Sequence, residues 1–159
     1  MKVMITLTGG GYLYEAMALE KEISNIGEFC YVTANDCAVP SDFSGREVYT
    51  IPAVTTVAAP GKWQVARKLI SAIAASISVL RKSRPDVIVA VGTSLAVPLA
   101  IAGKFFCVQF IFVESITRVT SPSTTGRILS LLRLADRIYV QWPESERLYR
   151  GAIYKGTVL

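Results

Sequence analysis

Histidine is absent from all 159 residues. Its absence removes the commonest metal ligand and general base, and with it a zinc site or a Ser-His-Asp triad. Cysteine is scarce: Cys30, Cys37 and Cys107 are the three in the chain, and no two of them form a C-x-x-C pair. Charge is also thin. Charged residues make up 18% of the chain against 52% hydrophobic, and the mean hydropathy of +0.42 is high for a freely soluble domain, so some apolar surface is expected to meet a partner or lipid. Seventeen Lys and Arg face 12 Asp and Glu, a formal charge of +5. That excess suits anionic membranes or phosphate-bearing ligands without selecting between them.

The start of the chain does not read as a secretory leader: two residues precede the run from Val3 to Leu7, and Gly9 follows at once, too short a run for a signal h-region. A cytoplasmic protein is expected. The most apolar stretch, Val87 to Val113, holds one charge at Lys104, but Gly92, Pro98 and Gly103 interrupt it. Those breaks suit two buried strands around a helix better than a membrane span. No repeat, low-complexity tract or linker divides the chain, so residues 1–159 are expected to form one domain.

What is present reads as alternating strands and helices. Lys2 to Thr8 is a β-rich run ending in glycines, and Leu13 to Ile26 follows with helical spacing. Glu28 to Ala34 and Glu47 to Ile51 make further strands, with the turn-rich segment 35–46 between them. A long helix from Pro60-Gly61 through Lys82 places Val65, Leu69, Ala72, Ile73, Ser76, Ile77 and Leu80 on one face. Pro85 ends it. Asp86 to Val91 and Val108 to Val113 are continuous buried-type strands flanking a helix from Leu95 to Lys104. A polar loop over 114–125, a helix over Arg127 to Ala135, a strand over Arg137 to Gln141, a short helix near Glu144 to Arg150 and a tail from Tyr154 complete the chain. This order predicts an α/β fold with a doubly wound, mostly parallel Rossmann-like sheet, covered on both faces. Ligands bind such sheets beyond the carboxyl ends of the strands, so the loops after Leu7, Val91 and Val113 are the expected site.

Three motifs sit there. Thr8-Gly9-Gly10-Gly11-Tyr12 joins the first strand to the first helix, where glycine lets backbone N–H groups approach an anion. It is not G-x-G-x-x-G, and no acidic residue closes the second strand in the ribose position, since Asp36 lies in the turn beyond it; NAD binding is the weaker reading, a bare structural turn another. Gly92-Thr93-Ser94 repeats the arrangement, with Ser94 as a helix cap, a substrate contact or both. Phe112-Val113-Glu114-Ser115 puts a carboxylate where a buried strand leaves the sheet. Glu114 can bond sugar hydroxyls, act as a base, or pair with Arg118.

Taken in order, Leu7-Thr8-Gly9-Gly10-Gly11, Val91-Gly92-Thr93-Ser94, Phe112-Val113-Glu114-Ser115 with Arg118 and Val119, Ser123 with Gly126-Arg127-Ile128-Leu129, and Ala135-Asp136-Arg137 with Val140-Gln141-Trp142 resemble the asparagine-linked glycosylation protein fourteen family. They also resemble its bacterial PssD/CpsF-type exopolysaccharide relatives. The likeness runs over nearly the whole chain. It implies the N-terminal half of a split GT-B glycosyltransferase, with the donor-binding C-terminal half supplied by a second polypeptide of the protein-thirteen, PssE or CpsG type. The chain's end after Val158 suits that division. It further implies a UDP-sugar donor, a polyprenyl-diphosphate-linked sugar acceptor, no cofactor and peripheral attachment at the cytoplasmic face of the membrane. UDP-glucuronate, UDP-galactose and UDP-N-acetylglucosamine are all compatible with it.

On this reading Gly9, Gly10, Gly11, Gly92, Thr93 and Ser94 contact acceptor or phosphate, with Tyr12 and Ser115 beside them. Glu114 binds sugar or accepts a proton, and Arg118 meets phosphate or partner. Gln141, Trp142 and Tyr154 form the partner interface. One departure stands out: the family's glycine loop commonly continues with histidine, and this chain has Tyr12, whose phenol is a poor base at neutral pH. Two alternatives remain open at this level. The long helix covers the sheet or lies in a headgroup layer with its flanking Arg and Lys, and the chain is a catalytic half or a non-catalytic recruiter of its partner.

Overall fold

The computed structural model describes residues 1–39, 41–54 and 62–159. β1 (Lys2–Leu7) leads through the glycine loop into α1 (Gly11–Glu22), then come β2 (Glu28–Ala34), a 3-10 turn at Ser41–Phe43 and β3 (Val48–Ile51). α2 (Lys62–Ser83) crosses to β4 (Val87–Val91), and α3 (Ala96–Phe105) to β5 (Gln109–Val113). α4 (Thr124–Leu131), β6 (Arg137–Val140), a 3-10 segment Pro143–Leu148 and β7 (Ala152–Tyr154) complete the chain. All seven strands are parallel, in the order β3-β2-β1-β4-β5-β6-β7. The expected doubly wound sheet is present, and the order reverses between β1 and β4, where the chain leaves one edge of the sheet to build the other.

Each strand alternates its side chains between two faces, and the faces are built differently. One carries Met4, Val32, Ile88, Ala90, Phe110, Phe112 and Ile138 beneath Leu80 of α2, Leu99 of α3 with the preceding Leu95, and Leu129 of α4. Burial of an aromatic or branched side chain stabilises by about 1.5–3 kcal/mol, so this closed face supplies most of the core. The other face carries Val3, Ile5, Leu7, Val87, Val89, Val91 and Val113 and is covered by α1 with Phe43 of the 3-10 turn. α1 lies over β1 and β4. Beyond it lies an apolar groove of about 450 Å³, floored by the buried Val87, Val89 and Val113 with the half-buried Ile111 and Tyr139, and bordered by residues 155–158 of the tail.

Three expectations change. The segment before the tail, given no element from the sequence, forms with Tyr154 a seventh, edge strand: Ala152–Tyr154 pairs with β6, a run too short for periodicity to reveal. α4 begins at Thr124, three residues early, because the Ser123 hydroxyl accepts from the Gly126 N–H at 2.9 Å as its N-cap, and it ends at Leu131. Helix α2 divides along its length. Ala72, Ser76, Val79 and Leu80 are buried, whereas Trp63 is 85% and Ile70 67% exposed, so the C-terminal half covers the sheet and the N-terminal half does not. The expected helix start at Pro60-Gly61 lies outside the described residues.

Candidate active site at the carboxyl ends of the strands

A cleft of about 530 Å³ opens where β1, β2 and β4 end, lined by Thr8, Gly9, Tyr12, Asp36, Gly92, Thr93, Ser94, Arg118 and the 123–125 segment among others. The glycine loop forms one wall. Gly10 has φ 72° and caps α1 with no side-chain hydrogen bond, leaving a helix N-terminus with no acidic residue in its first turn, the arrangement that favours an anion. Gly92, at φ 55°, cannot be replaced: a Cβ there would lie 2.5 Å from Tyr12 Cε1 and 3.2 Å from Ser115 Cβ. The Tyr12 ring therefore packs onto the second glycine turn, and the two loops form one surface. Thr8 Oγ1 is buried on the cleft wall and has no hydrogen-bond partner among the described residues, a polar atom that can meet a ligand or water.

Of the residues picked from sequence, Gly9, Tyr12, Gly92, Thr93, Ser94 and Arg118 line this cleft, with Gly10 and Gly11 exposed beside it. Ser94 does not cap α3; the N-cap is Leu95, and the Thr93 hydroxyl accepts from the Leu95 N–H at 3.2 Å. Arg118 is exposed and forms no ion pair among the described residues, which pair Lys2 with Glu47, Arg46 with Glu20 and Lys104 with Asp136. The Glu114–Arg118 bridge is thus not made.

Glu114 lies beneath the cleft, 1% exposed. Its Oε1 accepts from the Ser115 N–H at 3.0 Å. Its Oε2 accepts from the Ser123 hydroxyl at 2.7 Å, the Ser123 N–H at 3.2 Å and the Tyr149 hydroxyl. A carboxylate so engaged is a loop anchor, since taking up a substrate proton would break bonds that nothing replaces. Burial, reinforced by the negative Glu114 carboxylate on its hydroxyl, pushes the Tyr149 phenol well above its ordinary value. Tyr149 also explains Gly126, where a Cβ would lie 2.4 Å from its hydroxyl.

A second buried carboxylate was not singled out from the sequence. Glu15 of α1 is 2% exposed. It accepts from the Ser115 hydroxyl at 2.9 Å, the Ile116 N–H at 3.1 Å and the Gln141 side-chain amide at 2.5 Å. Gln141 also donates to the Glu114 carbonyl at 3.0 Å and accepts from the Val158 N–H at 3.0 Å. Ser115 and Gln141 are therefore corrections to the expected contacts: both are 2% exposed and saturated internally, one holding the loop after β5, the other tying the tail to it. Trp142 is half-buried and donates to the Ile116 carbonyl at 2.6 Å. Tyr154 is on the edge strand, 36% exposed. The only sequence signal for Glu15 is a carboxylate among Leu13, Ala16 and Met17. Asp36 could have been found by applying the strand-end rule to β2; among the described residues it is the one carboxylate lining the cleft. Among the described residues no group of His, Cys, Asp or Glu is arranged to hold a metal.

Residues 3–158 match the family model described as "Oligosaccharide biosynthesis protein Alg14 like". The chain belongs to the Alg14-like family. Its relatives include the UDP-N-acetylglucosamine transferase subunit ALG14 of Yarrowia lipolytica, 26% identical over 99% of this chain and 81% of that protein. The Schizosaccharomyces pombe subunit is 39% identical over 46% of this chain and 37% of that protein. A Pelobacter propionicus N-acetylglucosamine transferase acting on pyrophosphoryl-undecaprenol N-acetylmuramyl-(pentapeptide) is 27% identical over 95% of this chain but only 41% of its own length. Among solved structures, Acinetobacter baumannii MurG superposes with a TM-score of 0.74 at 18% identity, covering 98% of this chain and 44% of MurG. This Alg14-like chain thus has the α/β, GT-B-type fold of those proteins and spans less than half of the longer ones. The ALG14 relatives are named as subunits of UDP-N-acetylglucosamine transferases.

Proposed function

We propose that this Alg14-like chain is the acceptor-side half of a two-component, UDP-sugar-dependent glycosyltransferase of oligosaccharide, exopolysaccharide or capsule synthesis, acting on a polyprenyl-diphosphate-linked sugar at the cytoplasmic face of the membrane. The observation that carries the reading is the cleft: two glycine turns, an uncapped helix N-terminus and the unpaired Arg118 converge where a diphosphate can be held and a sugar presented. Gly9, Gly10 and Gly11 offer backbone N–H groups to phosphate, Arg118 neutralises it, and Thr93 and Ser94 meet the sugar. The acceptor hydroxyl attacks the anomeric carbon of a UDP-sugar bound mainly by the partner; the C–O bond to UDP breaks as the new glycosidic bond forms. Positioning and stabilisation of departing diphosphate supply the rate. We assign the released proton to Asp36, the carboxylate that faces the cleft, and to Glu114 the positioning of the loop that carries Arg118.

The partner, a donor-binding subunit of the protein-thirteen, PssE or CpsG type, docks on the apolar groove beside α1, with the tail and Tyr154 at its border. The groove's apolar lining, with Ile111 and Tyr139 half-buried on its floor, suits an apolar contact from a partner. No helix of the described residues is long and apolar enough to cross a membrane, and the exposed Trp63 and Ile70 beside Arg67 and Lys68 on α2 suit peripheral contact with lipid.

Transfer of radiolabelled sugar from UDP-sugars to a polyprenyl-diphosphate-linked sugar tests the reading, with this chain, its partner, and both. Activity is expected only with both, and to fall in Asp36→Asn while the complex persists. Full activity of the partner alone would reduce this chain to a recruiter, the second reading, favoured by the saturated Glu114; activity of this chain alone would overturn the division of labour.

A further inference from the structure

At the opposite end of the sheet a cavity of about 430 Å³ lies between the C-terminus of α4 and the starts of β6 and β7, and three of its lining residues are Arg133, Arg137 and Arg150. Asp136, the one acid there, is already used. Its Oδ1 accepts from Lys104 Nζ and its Oδ2 from the Phe110 N–H, each at 2.7 Å. Burial pushes the Asp136 carboxyl up, but these two donors outweigh it and hold it below its usual value. Among the described residues, Arg133 and Arg150 have no side-chain hydrogen bond or ion pair, and Arg137 reaches only the Tyr139 hydroxyl at 3.4 Å. Arg133 holds φ 51°, a backbone region that glycine occupies more readily and that costs a branched or long side chain energy. Three arginines thus line one cavity, and none of them is paired with an acid among the described residues, an arrangement that favours an anion.

We infer that this arginine-lined cavity binds a phosphate-class anion, with Arg133, Arg137 and Arg150 as its donors. Guanidinium forks match the oxygen spacing of phosphate and bind it bidentately. Two sources share that chemistry: a phosphate or diphosphate free in solution, and a phospholipid headgroup, for which Leu131 and Leu132, 83% and 59% exposed on the same end of α4, would provide the apolar border. The site is separated from the cleft by the length of the sheet and is independent of the function proposed above.

Titration of the full chain with sodium pyrophosphate, followed by amide NMR shifts, reads each end of the sheet separately. Saturable shifts are expected at Arg133, Arg137 and Gly151. Arg133→Gln with Arg150→Gln should weaken that binding by about tenfold or more, the loss of charge-assisted contacts, while any shifts in the cleft persist. Arg133→Lys with Arg150→Lys keeps the charge without the fork and should fall between. Sedimentation with phosphatidylcholine vesicles, with and without phosphatidylglycerol, forms the other arm. Binding that needs phosphatidylglycerol and is lost in the double Gln variant assigns the anion to a headgroup; pyrophosphate binding without vesicle binding assigns it to solution. Shifts confined to the cleft, or affinity for both probes unchanged in a folded double Gln variant, would overturn the inference.

Discussion

The two faces of the sheet use the same residue types to different ends. The face under α2, α3 and α4 buries Phe110, Phe112, Ile88 and Leu99 completely, and nothing about it requires another molecule. The face under α1 has equally apolar strands, yet α1 reaches only β1 and β4 and leaves Ile111 of β5 and Tyr139 of β6 half-buried on a groove. A closed face stabilises the domain; an open one of the same chemistry stores association energy until something covers it. The carboxylates Glu15 and Glu114 join this contrast to the cleft, because the groove's bordering tail is tied through Gln141 to the loop that carries Arg118.

The sharpest way to break the comparison is to cut each face in turn. Phe112→Ala on the closed face should cost about 3–5 kcal/mol, the usual loss for a buried aromatic, read as a shifted urea midpoint. Glu15→Ala strips the acceptor from Ser115, Ile116 and Gln141 and should cost about 1–3 kcal/mol, the penalty of stranding buried donors. Its amide spectrum should show the changes concentrated at 115–118, 141 and 158; an even spread of small shifts would mean that the network does not tie tail to loop.

Tyr149→Phe removes one donor to Glu114 and should cost about 1 kcal/mol. It also carries a pH signature. The folded phenol titrates above its unfolded value of about 10, so its contribution is fully present below pH 10 and lost as pH rises through the folded value. Tyr31, pushed up to about 12 by burial and then by Glu20, loses stability over the same alkaline window. Wild-type stability should therefore decline above about pH 10, and less steeply in Tyr149→Phe. Equal slopes would mean that Tyr149 is ionised as easily folded as unfolded.

Ile111→Ser is the gentlest change for the isolated chain, roughly 1 kcal/mol or less because the side chain is already half in water, yet it should weaken partner association measurably by sedimentation. A large loss of stability with intact association would reverse the assignment of the two faces.

Much of this was legible in the residues. Strand runs such as Val87–Val91 and Phe110–Val113, the glycines after β1 and β4, and the polar loop after β5 identify a parallel sheet and the end at which the cleft opens. The cleft residues Gly9, Tyr12, Gly92, Thr93, Ser94 and Arg118 follow from that rule alone. Glu114 was visible as a carboxylate at a strand end, but not the direction of its side chain. Whether such a group faces solvent or interior depends on Ser123 and Tyr149, which are 9 and 35 positions away in the chain. Glu15 escaped because its donors are 100, 101 and 126 positions distant, beyond any local pattern.

The sequence by itself determined the order of elements, the parallel sheet and the site's end, because periodicity, glycine turns and apolar runs act over a few residues. Only the tertiary structure decided which face of the sheet stays open, which carboxylates are anchors and where three arginines meet. Those outcomes depend on how far one helix can reach across a sheet and on which donors the folded chain brings to each buried acid.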